Sequence, residues 1–240
     1  MELKFIGTGS IRAKRTCSSI LINNNILIDC GNGVYKKLIN ADINVLDIKT
    51  IIITHLHGDH TFDLTLLLSA IYTEDHNHSI TIIGPKGLPK LIRKLLFLAF
   101  PFTGPIIYFS LKLKFIDSKK LDDYKLNDDI SIKSFKVHHG NMRPCYGYIL
   151  NNNIGITGDA AYNNVIDEVA SKVKTFICDC TMSIGNDAHM GVDNIESILK
   201  KYDTRIITYH MGDSSRKKLL KLTNNYKNLT VSDDLFRFEL

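Results

Sequence analysis

Proline is scarce in this sequence, with only 5 in 240 residues, and no stretch is rich in Gly, Pro or Ser. That leaves no candidate linker, no low-complexity tract and no clean internal repeat. The most apolar stretch, Leu95 to Phe102, falls far short of the ~20 residues a helix needs to span a bilayer. The start, Met1-Glu2-Leu3-Lys4-Phe5-Ile6, enters a strand pattern directly and offers no apolar segment of a signal peptide. Cysteine is odd in number, and Cys17, Cys30, Cys145, Cys178 and Cys180 include no CxxC pair. A disulfide framework and a zinc knuckle are thereby disfavoured, and the expectation is buried thiols in a reducing, cytoplasmic compartment. Neither sign of charge dominates; a net charge of +5 permits an anionic substrate without requiring one. Against these absences stand 44% hydrophobic and 23% charged residues, enough for a full core in one domain over residues 1–240.

What is present is concentrated in Thr54-His55-Leu56-His57-Gly58-Asp59-His60, directly after Ile51-Ile52-Ile53. Three β-branched apolar residues in succession suit a central strand covered on both faces. Packing has no use for four titratable groups at its exit, and leaving them unsatisfied would cost roughly 1–3 kcal/mol each. Bound metal accounts for them, since imidazole nitrogen and carboxylate oxygen both ligate zinc and similar divalent ions. His55 and His57 lie two apart, so both side chains can turn toward one ion. Asp59 and His60 are adjacent and suit a second ion beside it.

Leu3–Ile6 reads as a strand closed by the turn Gly7-Thr8-Gly9-Ser10. Ser18–Ile22 and Ile26–Asp29 read as a hairpin, and Val34–Ile39 as a short helix. Asp29 either orients a metal-bound imidazole or caps that helix. Leu64, Leu67, Leu68 and Ile71 recur at helical spacing; His76 and His78 fall in a stretch read as a solvated loop. Thr81–Ile83 is a strand. Leu88–Phe100 is a helix apolar over much of its surface: buried, or part of a subunit interface or substrate wall. Ile106–Val137 reads as strands with polar turns, the last of them half-buried and ending in His138-His139-Gly140. A hairpin of Tyr146–Leu150 and Ile154–Thr157 delivers Gly158-Asp159. Val165–Val173 is helical, Thr175–Cys178 a strand leading to Asp179, Ile195–Leu199 helical, Arg205–Thr208 a strand with Tyr209-His210 at its exit, and Ser214–Leu222 a helix. Two β layers flanked by helices are the economical architecture.

Ligand-type residues thus recur where apolar strands run out, at His55/His57/Asp59/His60, at His139, at Asp159 and at His210. This order, with Phe5-Ile6-Gly7-Thr8-Gly9-Ser10, Leu27-Ile28-Asp29-Cys30-Gly31-Asn32-Gly33 and Tyr146-Gly147-Tyr148, resembles the metallo-β-lactamase fold superfamily in its ribonuclease Z and phosphodiesterase branch. The resemblance covers essentially the whole chain. It implies an α/β fold, a four-layer αββα sandwich, with two divalent metals, most often zinc, with manganese or iron as alternatives. His55, His57 and His139 would hold the first metal; Asp59, His60 and His210 would hold the second, and Asp159 would bridge both. Two such ions ~3.5–4 Å apart activate a shared water and hold a phosphoryl oxygen beside it. Asp59 would act as general base, and His189, in Asp187-Ala188-His189-Met190-Gly191, would stabilise the phosphoryl charge or protonate the departing alkoxide.

Ribonuclease Z usually carries a tRNA-gripping arm between the Tyr-Gly-Tyr strand and the Gly-Asp turn. Here the stretch from Tyr148 to Gly158 holds a hairpin and nothing more. The expected substrate is therefore a phosphodiester, either RNA held by another surface or a small or cyclic molecule. A thioester, lactone or carboxylic-ester hydrolase on the same metals is the alternative, and a non-catalytic metal or nucleotide sensor is a second. No membrane partner is expected, and the helix Leu88–Phe100 makes a homodimer an option.

Overall fold

A computed structural model describes residues 1–240. In chain order its first elements are β1 (Glu2–Gly7), β2 (Ser19–Ile22), β3 (Ile26–Ile28), α1 (Val34–Asn40), β4 (Thr50–Ile52), α2 (Gly58–Thr61), α3 (Leu64–Glu74), β5 (Ser79–Gly84), α4 (Leu88–Ala99), α5 (Gly104–Ser110) and β6 (Lys112–Asp117). Then come β7 (Tyr124–Lys125), β8 (Ser131–His139), β9 (Met142–Leu150), β10 (Ile154–Ile156), α6 (Asn164–Lys172) and β11 (Thr175–Cys180). The last are α7 (Val192–Lys201), β12 (Arg205–Met211), α8 (Asp213–Leu222), β13 (Leu229–Val231) and β14 (Phe236–Glu239). No helix is long and apolar enough to cross a membrane.

The chain divides into two compact units. The first comprises Met1–Gly7, Thr16–Ser118 and Asp234–Leu240. Its sheet has the order β14-β1-β2-β3-β4-β5-β6. β14, β1, β2 and β3 pair antiparallel, and β3 through β6 pair parallel. The tight hairpin between β2 and β3 works because Asn23 and Asn24 accept left-handed backbone (φ 46° and 58°), which asparagine tolerates better than most residues. Val34 and Leu38 of α1 and Leu64, Leu67, Leu68 and Ile71 of α3 bury against Leu27, Ile51, Ile53 and Ile82. The central strands β3 and β4 are buried along their whole length, as strands covered on both faces are, whereas the edge strand β6 exposes Lys112 and Lys114.

The second unit comprises Thr8–Arg15 and Lys119–Asp233. Its sheet has the order β13-β12-β11-β10-β9-β8-β7 and repeats the pattern of the first. β7 to β10 are antiparallel and β10 to β13 parallel. Ile166 and Val169 of α6, Ile195 and Ile198 of α7 and Leu219 of α8 bury against Phe176, Cys178 and Ile206.

Three expectations are corrected. The segment beginning at Ile106 is not strand but the helix α5, through Ser110. Its β-branched and aromatic residues favour strand, but Pro105 presets the first helical turn, and Ile107 and Leu111 bury in the first unit's core. His78 is buried rather than solvated, with Nδ1 3.2 Å from Asp75 Oδ2 and Nε2 3.4 Å from Lys49 Nζ. His76 does remain outside, stacked on Tyr72. Finally, α4 is amphipathic: Leu88, Ile92 and Leu96 are buried one turn apart, while Lys90, Arg93 and Lys94 face outward.

Candidate metal centre

In the first unit the polar cluster sits where β3 and β4 end. Asp29 leaves β3 in a left-handed conformation (φ 58°) with its carboxylate buried. It accepts the Thr54 backbone N–H at 2.8 Å and the Thr54 hydroxyl at 2.9 Å. It also lies 2.8 Å from His60 Nδ1. Of the two roles open to Asp29, the geometry supports orienting an imidazole. A carboxylate only accepts, so His60 carries its proton on Nδ1 and turns the Nε2 lone pair toward Asp59 Oδ2, 3.7 Å away. His55 and His60 rings lie 4.1 Å apart, and His55 Nε2 is 3.0 Å from His57 Nδ1. His57 precedes α2, which carries Asp59 and His60 in its single turn. Gly31 allows this turn to press close, because a Cβ there would fall 1.6 Å from the Asp59 carbonyl oxygen.

In the second unit, ligand-type side chains lie at or just beside the ends of β8, β10, β11 and β12: His139, Asp159, Asp179 and His210. His139 is buried and its Nδ1 lies 2.7 Å from the Ala188 carbonyl. That carbonyl can only accept, so Nε2 bears the lone pair, 3.8 Å from Asp159 Oδ2. His138 is less deeply buried. Asp159, Asp179, His189 and His210 present ligand atoms that all lie within 4.8 Å of one another. Asp159 Oδ1 is 3.2 Å from His210 Nδ1, and Thr181 Oγ1 is 2.8 Å from the same nitrogen.

Asp179 is the member that sequence reasoning left without a role. It is the penultimate residue of β11, fully buried, and its Oδ2 lies 2.8 Å from His189 Nδ1. Its Oδ1 accepts the backbone N–H of Thr181 at 2.8 Å and lies 2.8 Å from the Thr181 hydroxyl oxygen. The signal that could have found it is the one that found the others, an acid where an apolar strand ends. Burial pushes the Asp179 carboxyl up, but the His189 and His210 hydrogen bonds outweigh it and hold it below the usual range. Burial likewise opposes protonation of His189; the Asp179 hydrogen bond and the Asp179 and Asp159 charges prevail and raise its pKa. The turn that presents His189 is fixed by Asn186, whose side chain accepts the His189 N–H at 2.8 Å.

Both clusters consist of imidazole nitrogens and carboxylate oxygens with no thiolate among them, a donor set suited to divalent metals. Several imidazoles are anchored through Nδ1 by a neighbour, which is how ligating histidines are ordinarily held.

The family model described as "Anti-Pycsar protein Apyc1" matches residues 1–229. The chain belongs to this Apyc1 family. Among relatives of the family chain, ribonuclease Z of Clostridium perfringens is 33% identical over 181 residues, covering 70% of this chain and 57% of the relative. The chain spans between 38% and 57% of the length of the first three ribonuclease Z relatives it matches. Among solved structures, the short form of human tRNase Z superposes with a TM-score of 0.74 at 20% identity, covering 100% of this chain and 99% of that one. The metallo-β-lactamase fold protein YhfI from Bacillus subtilis gives 0.76 at 17% identity, covering 99% and 98%. The Apyc1-family chain thus has the metallo-β-lactamase fold of the ribonuclease Z-like branch, the αββα class that its motifs imply.

Proposed function

We propose that residues 1–240 act as one metal-dependent phosphodiesterase domain. His55, His57 and His139 would hold one divalent cation, and Asp59, His60 and His210 a second, with Asp159 serving both. Zinc suits this nitrogen and oxygen set best, with manganese or iron as alternatives. The observation that carries the reading is the placement of buried imidazoles and carboxylates at strand ends, with His60 and His139 fixed as Nδ1–H tautomers. Such a cation pair, when bound, polarises a phosphoryl oxygen and brings the pKa of water toward neutrality.

The chain's own groups supply the rest. Asp59 accepts a proton from the attacking water. His189 donates through Nδ1 to Asp179, which leaves Nε2 to serve the substrate. A proton on Nε2 stabilises charge on the phosphoryl oxygen or passes to the departing alkoxide.

Ribonuclease Z acts on RNA by its name, but the link from β9 to β10 here is only the turn Asn151–Asn153. A small or cyclic phosphodiester is therefore the favoured substrate. The five unbridged, buried thiols support a reducing, cytoplasmic setting. A second copy of the chain would pair through the region of α4 and α5, where Leu98, Phe102 and Phe109 are exposed.

Metal analysis combined with a substrate panel tests the proposal. Cleavage of cyclic nucleotides or bis(p-nitrophenyl) phosphate by protein carrying two equivalents of metal is the expected outcome. Turnover of thioesters or lactones with no diester cleavage would overturn it. Efficient cutting of tRNA precursors alone would move the substrate class to RNA.

A further inference from the structure

The last two residues of β12 depart from the regular ladder. β11 and β12 pair in register from Thr175 and Arg205 to Asp179 and Tyr209; the next pair is Cys180 with Met211, which leaves His210 in a bulge. His210 also adopts φ 48°, a left-handed conformation that a non-glycine residue seldom keeps without outside support. A bulge of this kind re-aims one side chain out of the pleat.

The support comes from Thr181, just beyond β11. Its hydroxyl oxygen lies 2.8 Å from the His210 carbonyl oxygen, 2.8 Å from His210 Nδ1 and 2.8 Å from Asp179 Oδ1. A hydroxyl has one proton and two lone pairs. The carbonyl and the carboxylate can only accept, so the hydroxyl proton goes to one of them. His210 Nδ1 must then be the donor to Thr181, and the Nε2 lone pair is set. Gly212 lets the β12 turn approach, since a Cβ there would lie 2.6 Å from the Thr181 carbonyl oxygen. Without the hydroxyl, the remaining acceptor near Nδ1 is Asp159 Oδ1 at 3.2 Å, with Asp179 Oδ1 at 3.6 Å. His210 would then draw on the carboxylate assigned to both cations.

We propose that Thr181 is a positioning residue that latches the bulged His210, taking its Nδ1 proton and keeping Asp159 available for metal. The inference rests on the metal reading given under Proposed function, and it adds one residue that touches no cation itself. It also gives Asp179 two duties: to orient His189 directly and His210 through Thr181.

The test compares the full chain with Thr181→Val and Thr181→Ser in three measurements. These are zinc affinity by competition with a chromophoric chelator, the histidine ring nitrogen resonances of metal-free protein by nitrogen-15 NMR, and thermal unfolding of the metal-free protein. Thr181→Val should bind its weaker zinc 10–100-fold less tightly, the loss typical for groups that orient ligands. Its His210 ring should keep the Nδ1–H tautomer but show a shifted Nδ1 resonance, because the Asp159 carboxylate replaces the hydroxyl as acceptor. Thr181→Ser should keep both the affinity and the resonance of the unaltered chain. Unchanged affinity and an unchanged His210 Nδ1 resonance in Thr181→Val would overturn the latch, as would equal losses in Thr181→Ser. Should Thr181→Val fail to fold, Thr181→Ala takes its place with the same readouts. If the unaltered chain takes up no zinc, the metal reading fails; the comparison of the His210 Nδ1 resonance in metal-free protein still decides the role of Thr181.

Discussion

Gly31 has the least room for a Cβ among the chain's glycines. The added methyl of Gly31→Ala would collide with the Asp59 backbone, and no side-chain rotation relieves that. The substitution should cost about 1–3 kcal/mol in urea unfolding and shift the turn bearing Asp59 and His60, with zinc uptake falling in parallel. Asp179 and His189 make a different kind of pair. Asp179→Asn offers His189 an amide where it had a carboxylate, and the raised pKa of the imidazole is lost with the charge. Turnover of a diester with an alkoxide leaving group should then drop on the order of 10²–10⁴-fold, the usual range for a general acid. A p-nitrophenyl diester, whose leaving group needs no proton, should lose far less; equal losses would remove His189 from the role of proton donor.

At the scale of elements, the cluster of Tyr162, Asp167, Lys201 and Tyr202 fastens the loop after Asp159 to α6 and α7. Asp167 accepts from the Tyr162 hydroxyl, from Lys201 Nζ at 3.0 Å and from the Tyr202 hydroxyl at 2.8 Å. Asp167→Asn should destabilise the protein by about 1–2 kcal/mol at pH 7. The Tyr162 hydrogen bond, with those of Tyr202 and Lys201, holds the Asp167 carboxyl below its ordinary value. A depressed pKa stabilises the fold above the unfolded carboxylate value of about 3.9, and that share vanishes as the pH falls through the folded value. The gap between wild type and Asp167→Asn should accordingly narrow on acidification in thermal melts. Elements of this kind were legible to different depths. The strands that end in ligand-type residues stand out because three isoleucines followed by histidines serve no packing purpose. α5 is hidden in the sequence because its β-branched and aromatic residues favour strand, a propensity that the proline in its first turn and the burial of Ile107 override. The bulge at His210 and the latch at Thr181 left no trace in periodicity, since both arise from a slip between two strands distant in sequence.

For the whole molecule, metal and stability should be linked. A cation that binds only the folded chain adds about 2.7 kcal/mol when present at 100 times its dissociation constant. Exhaustive chelation should therefore lower the melting temperature as well as abolish diester cleavage, and zinc should restore both. Activity that survives chelation would sink the proposed chemistry. The first unit is also discontinuous, because its sheet takes its edge strand β14 from the far end of the chain. That strand is drawn in by the Leu235 N–H to the Phe5 carbonyl at 2.7 Å, by Asp234 accepting the Thr16 N–H at 3.0 Å and by Lys37 at 3.2 Å. On the ribosome, β1 must wait with an open hydrogen-bonding edge until nearly every later residue has been made. A nascent chain stalled before Asp234 would offer that edge to its neighbours on a polysome, where sticky intermediates are most crowded.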